Sequence, residues 1–361
     1  MLWAACRLAK LALGQDRNRP RVGGGAVTHQ TVFQEGVSSM GKNASRPNGL
    51  AGKDDGGTGR GRLFGIGLAA LAAVFASSAG LLLRFAGEAD PWVLLVYRAL
   101  GFTVAVFLFV WWQQGRSVGG RTIGGMVAAF LNIGRPGIIV ALSLGGAFIA
   151  FLLALSQTSV ATVVAVLSLS PLFAAVISRV FLGERSSRMA WLSMAAALAG
   201  VVLVIWGDLA SPSGLRLSPQ GLTYAFLACL GYAIAIVGLR AGKAKDMSPA
   251  TCLSGVVALA VSLLVCLIMI GSLKAAGHVV AIGLLLGTVQ IGAQYILLTI
   301  ATRYATAADV ALVMILEIVL APIWVWLFAG EAMPGLGVAG GVVIVAALII
   351  NTMAARHGEG S

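Results

Sequence analysis

The 361-residue chain is 59% hydrophobic and 11% charged, with a mean hydropathy of +0.94, whereas a soluble domain has about 45–50% apolar and about 25% charged residues. That balance excludes an aqueous globular fold and points to an integral membrane protein. The net charge of +12 is not a nucleic-acid footprint, because ten Lys/Arg against four acids crowd into residues 1–62 and the rest is scattered without a basic-aromatic patch.

Residues 1–62, rich in Gly, Arg, Asn, Ser and Gln, read as a disordered basic cytoplasmic tail. Its opening, "MLWAACRLAKLAL", is interrupted by Arg7 and Lys10 and leaves an apolar core too short for a signal peptide. Met40 is a second candidate start. From Leu63 onward, apolar runs of bilayer length follow one another with short polar breaks. The pattern predicts ten helices, roughly at 64–84, 92–112, 136–155, 159–182, 187–206, 220–240, 249–271, 279–300, 306–328 and 333–353, before a cytoplasmic tail at 354–361. Continuous apolar runs lack the alternation of a β-barrel wall.

One shift aligns the two halves of this array. An offset of 147 residues pairs Gly145 with Gly292, Ala154 with Ala301, Ala161 with Ala308, Phe181 with Phe328, Gly183 with Gly330 and Glu184 with Glu331. Five helices fit in each half, 63–206 and 207–353, and five is odd. A second copy must then cross the membrane in the opposite sense, so the expected fold is an all-α integral membrane protein with ten transmembrane helices in two inverted five-helix repeats. With the N-terminus inside, the tail and Arg116, Arg121, Arg135, Arg179, Arg185, Arg188, Arg240, Lys243, Lys245, Arg303 and Arg356 fall on the cytoplasmic side, against Arg84, Arg216 and Lys274 outside. This asymmetry predicts a multi-pass protein of the cytoplasmic (inner) cell membrane with both termini cytoplasmic.

Few residues in the apolar segments can carry chemistry. Glu317 lies in the ninth helix, where an unpaired charge costs several kcal/mol, and so reads as a substrate-amine or proton site or as a structural Glu paired with Arg98. Arg98, a third of the way into the second helix, either attracts a substrate carboxylate or snorkels toward the outer headgroups. Gln290 and Gln294, four residues apart with Tyr295 adjacent, suit the lining of a polar cavity, or interhelical hydrogen bonding. Pro171 and Pro322 leave the carbonyls of Leu167 and Ile318 without their helical donors, which predicts kinks; Ser168 and Ser170 could satisfy the first locally. Asp309 and Arg303 suit an interfacial pair or helix-end charges, and the GxxxG spacings Gly283/Gly287 and Gly337/Gly341 suit close helix contact. Cys6, Cys229, Cys252 and Cys266 form no CxxC pair, and His29, His278 and His357 belong to no metal motif, so neither a cofactor nor a metal is expected.

Two segments, "ALSQTSVATVVAVLSLSPLFAAVISRVFLGER" and "ATRYATAADVALVMILEIVLAPIWVWLFAGE", resemble the signature segments of EamA-type members of the drug/metabolite transporter superfamily. In both, an Ala-rich helix entry leads to a Pro-containing stretch that closes on Gly-Glu. The resemblance covers about residues 63–353 and implies a central cavity between two EamA-like repeats and movement of small metabolites. On matching positions it marks Ser170, Pro171, Gly183 and Glu184 in the first copy and Glu317, Pro322, Gly330 and Glu331 in the second. Ile318 follows Glu317 where a Leu-Glu-Pro triplet is common in the family, and the long basic tail lies outside its pattern.

The expected function is therefore secondary transport of amino acids, amphipathic metabolites or drugs by alternating access. A membrane-embedded enzyme or a non-transporting helical scaffold are the rivals; no nucleophile with a base, aspartate pair or buried His site supports the enzyme. The expected partners are a small-molecule substrate and the lipid bilayer, with a homodimer left open and no nucleic acid.

Overall fold

The computed structural model describes residues 55–114, 123–181, 183, 188–210, 218–242, 247–305, 307–330 and 334–358. Met1–Arg60 and Gly61–Ser361 are separate units, and the second carries the fold. The tail at 1–54 and the charged residues Glu184, Glu331, Arg116, Arg121, Arg185, Arg216, Lys243 and Lys245 lie outside the described residues.

Every described element is helical: α1 (Asp55–Ser77), α2 (Ala79–Phe85), α3 (Pro91–Gln114), α4 (Ile123–Leu131), α5 (Gly134–Gln157), α6 (Val160–Leu167), α7 (Ser170–Phe181), α8 (Arg188–Ala210), α9 (Pro219–Ala241), α10 (Ser248–Met269), α11 (Gly277–Leu285), a π-helical segment (Leu286–Ala293), α12 (Gln294–Ala301), α13 (Ala307–Ala329) and α14 (Gly335–Gly358). Among the described residues, nine helical stretches are long and apolar enough to cross a membrane, and Gly335–Ile350 is a shorter apolar helix. In hydrocarbon no water can satisfy backbone groups, so such runs close their hydrogen bonds internally as helices. The first helix begins at Asp55, ahead of the expected start at 64, and the short α4 before the third long span was not foreseen.

The helix ends follow local chemistry. Ser159 caps α6 by accepting the Thr162 backbone N–H at 3.0 Å, and Ser218 caps α9 ahead of Pro219. Gly183 and Gly330, paired by the 147-residue offset, both adopt left-handed backbone, at φ +71° and +67°, just past the ends of α7 and α13. A side chain would strain that conformation, which accounts for a glycine ending both segments.

Small residues let the helices touch. An added Cβ on Gly287 would sit 2.1 Å from the Arg98 carbonyl oxygen, and one on Gly340 2.6 Å from that of Gly200, so α3 meets the π segment, and α8 meets α14, backbone to backbone. Of the two GxxxG spacings, Gly283 and Gly287 both press on α3, whereas Gly341 faces open space. Leu94, Phe102, Leu152, Leu155, Val163 and Leu286 belong to one central core. Large apolar side chains such as Leu192, Trp206, Leu264, Ile268 and Val342 point outward. A surface of this kind is a liability in water and is the natural contact for acyl chains.

Candidate functional site

Inward stripes of three helices converge on a charged cluster. On α3, Leu94, Arg98, Phe102 and Val106 recur every four residues and are all buried, which places Arg98 on the core-facing side. It is 3% exposed and does not snorkel. Its Nη1 donates to the Phe148 carbonyl of α5 at 3.1 Å, while Nε and Nη2 have no hydrogen-bond partner. The guanidinium carbon stands 5.7 and 5.6 Å from the ring centres of Phe148 and Phe151, within the range of cation–π attraction. One carbonyl and two rings leave most of this cation's hydrogen-bonding capacity unused.

On α13, Glu317 lies on the stripe of Ala321 and Val325. It is partly buried. Among the described residues it has no hydrogen bond or ion pair. The structural pair with Arg98 considered from the sequence is not formed. Tyr232, on the stripe of Ala225, Ala228 and Cys229 of α9, packs its ring against Phe148 at 6.2 Å, the ring that Arg98 also meets. Arg98 and Tyr232 thus share the Phe148 ring, and Glu317 forms no ion pair with Arg98. Such a set can hold a carboxylate at one end and an amine at the other.

The remaining sequence-derived residues fall elsewhere. Gln290, 4% exposed, donates through Nε2 to the Ala76 carbonyl of α1 at 3.2 Å, and its Oε1 lacks a partner. It lies in the π segment, whose wider turn breaks the four-residue face shared with Gln294. Gln294 opens α12 half-buried, and Tyr295 stacks edge-on against Phe109 of α3 at 6.5 Å.

Pro171 divides the fourth span into α6 and α7, and the Ser170 hydroxyl donates to the Leu167 carbonyl that the proline leaves free. Ser170 therefore has a local structural bond. Pro322 does not interrupt α13; Pro322 and Ile318 both line a cavity, where a carbonyl lacking its helical donor is tolerated.

Asp309 stands in the first turn of α13 as a helix-end charge, and its ion pair is with Arg62 rather than Arg303. Asp309, 3% exposed, receives Arg62 Nε and Nη2 at 2.9 Å each, a two-point clamp between α13 and α1. Arg62 had counted as tail charge, and only the fold brings residues 247 apart in sequence together.

Compared with known protein families, residues 63–206 match the EamA-like transporter family. That family is part of the drug/metabolite transporter superfamily, a group of transporters, and with the apolar helices the match makes the chain a multi-pass membrane protein. A solved structure described only as "Crystal structure of protein" is similar, with a TM-score of 0.54 and 18% identity over 80% of this chain and 98% of its own. At that identity the likeness speaks for the fold alone. No curated protein matches.

Sequence reasoning missed two polar residues. Tyr232 carries no charge to mark it within an apolar run. Asp208, near the end of α8, fell two residues beyond the expected end of the fifth helix.

Proposed function

We propose that the chain is a secondary transporter of small zwitterionic metabolites, amino acids or amphipathic compounds and drugs, in the cytoplasmic membrane. The observation that carries this reading is the unneutralised set of Arg98, Tyr232 and Glu317 inside the bundle. Buried charges are costly and usually mark a path or site. Arg98 takes the substrate carboxylate, Glu317 its amine or a coupling proton, and Gln290, Gln294, Tyr295 and Ser170 belong to the walls of the path.

Alternating access here rests on ten transmembrane helices in two inverted halves, 63–206 and 207–353, flanked by cytoplasmic tails at 1–62 and 354–361. Three features support the duplication. Moving Val160 and Arg188 forward by the same 147 residues reaches Ala307 and Gly335, the first residues of α13 and α14. Gly145 of α5 abuts the Ser254 carbonyl of α10, and its counterpart Gly292 abuts Ala105 of α3, contacts that interchange when the halves do. The α3–α10 and α8–α14 pairs are each their own counterpart.

The deciding experiment is flux into proteoliposomes, measured against a library of amino acids, nucleosides and cationic drugs. Wild-type flux of zwitterions should exceed that of matched esters or N-acyl analogues, and Arg98→Gln should erase the preference for a free carboxylate. No flux of any compound by folded protein would favour a scaffold and reject the reading. For topology, single cysteines beside Glu184 should label from the cytoplasmic face and those beside Glu331 from outside. Labelling of both from one face would remove the inverted arrangement.

A further inference from the structure

A cavity of about 420 Å³ lies between α6, α8, α13 and α14, and neither Arg98 nor Tyr232 lines it. Its walls are apolar, with Val164, Ile318, Pro322 and Ile344 among them, except at one end, where Ser159 and Asp208 reach it. Asp208 is 9% exposed. Both hydroxyls near it, those of Ser159 and Thr162, donate to the same oxygen, Oδ2, the latter at 2.5 Å. Oδ1 accepts no hydrogen bond, and the carboxylate has no ion pair among the described residues. Arg84, which reaches the adjoining turn, donates to the carbonyls of Leu155 and Thr158.

A buried carboxylate needs a counter-charge as well as hydroxyl donors. A divalent metal does not suit this one, because hard cations take six or more oxygen ligands and the cavity offers apolar walls instead. What fits an anion at the end of an apolar pocket is a single cationic group on an apolar body. The volume is at the small end of the roughly 300–1,000 Å³ of small-molecule sites, too small for a two-chain phospholipid. Val319, Val338 and Val342 on its rim are exposed on helix faces that meet acyl chains, so the entry is from the bilayer. We propose that this cavity binds a cationic amphiphile, with its ammonium against Asp208 and its single apolar body along α13 and α14.

The test uses the full chain in phosphatidylcholine nanodiscs and dodecylamine carrying a diazirine near its chain end. Crosslinks should fall on α13 and α14, with competition by dodecylamine but not by dodecanol or dodecyl sulfate. Asp208→Asn should weaken binding at least tenfold. Gly341→Phe should do the same, since it lines the cavity where an added Cβ meets nothing within 4 Å; it fills the pocket while leaving Asp208 in place. Glu317→Gln should keep full labelling, so loss of the central transport site and loss of this one are told apart. Equal competition by dodecanol, or undiminished labelling in folded Gly341→Phe, would overturn the proposal. Competition by phosphatidylethanolamine would overturn the assignment to a single-chain cation.

Discussion

Glu317→Gln should reduce substrate flux in proteoliposomes by roughly tenfold or more, while the purified variant melts no lower than wild type. The substitution keeps size and hydrogen-bonding reach and removes only the charge. A charge-assisted bond contributes about 1.5–3 kcal/mol, and about 1.4 kcal/mol is a factor of ten, which sets the scale of the loss. Stability should survive because Glu317 holds no partner among the described residues that its neutral analogue would abandon. Removing an unpaired buried charge is neutral or favourable to folding. The flux that remains separates the two roles. If Glu317 couples protons, Glu317→Gln still exchanges substrate but no longer answers to a pH gradient; if it holds the amine, exchange and gradient-driven uptake fall together. Unchanged flux at every pH would reject both, and loss of folded protein would make Glu317 structural.

Gly287→Leu should destabilise the bundle by about 3 kcal/mol, at the upper end of overpacking costs. Even the first carbon of the new side chain would lie 2.1 Å from the Arg98 carbonyl oxygen and 2.7 Å from the Phe102 backbone nitrogen. Those neighbours are backbone, so no rotamer change relieves the clash and α3 has to move away from the π segment. Gly146→Leu is the control, since nothing stands within 4 Å of its added carbon; it should stay within about 0.5 kcal/mol of wild type. Thermal melting of both in the same detergent checks this, and equal melting would show that α3 and the π segment are not in close contact. Any folded Gly287→Leu should also lose flux, because the displaced backbone is the one that carries Arg98.

Parts of the candidate site were legible because their signals are local. Arg98 is set off by its charge about a third of the way into an apolar helix, although only the structure, which leaves it 3% exposed, decided against snorkelling. Glu317 is set off by charge within an apolar run. Ser170 beside Pro171 announces the hydroxyl that satisfies the Leu167 carbonyl. By contrast, the Arg62–Asp309 clamp joins residues 247 apart, and Arg303 was the nearer cation in sequence. Gln290 and Gln294 read as one face because α-helical spacing was assumed, and the π segment changes that spacing.

Hydropathy and run length by themselves determined that the chain is built of membrane-crossing helices, because hydrocarbon admits only segments that satisfy their own backbone. The 147-residue offset and the Gly-Glu endings were likewise written in the chain, the latter because left-handed backbone at Gly183 and Gly330 is a property of the residue and its immediate turn. Only the tertiary structure decided that Arg98 and Glu317 form no ion pair, that Arg98 and Tyr232 share the Phe148 ring, that Arg62 closes on Asp309, and that Asp208 ends an apolar cavity. Those outcomes depend on which helix faces meet. In this bundle, that follows from backbone contacts at Gly200, Gly287 and Gly340 between segments far apart in sequence, where close packing replaces the hydrophobic effect as the force between helices.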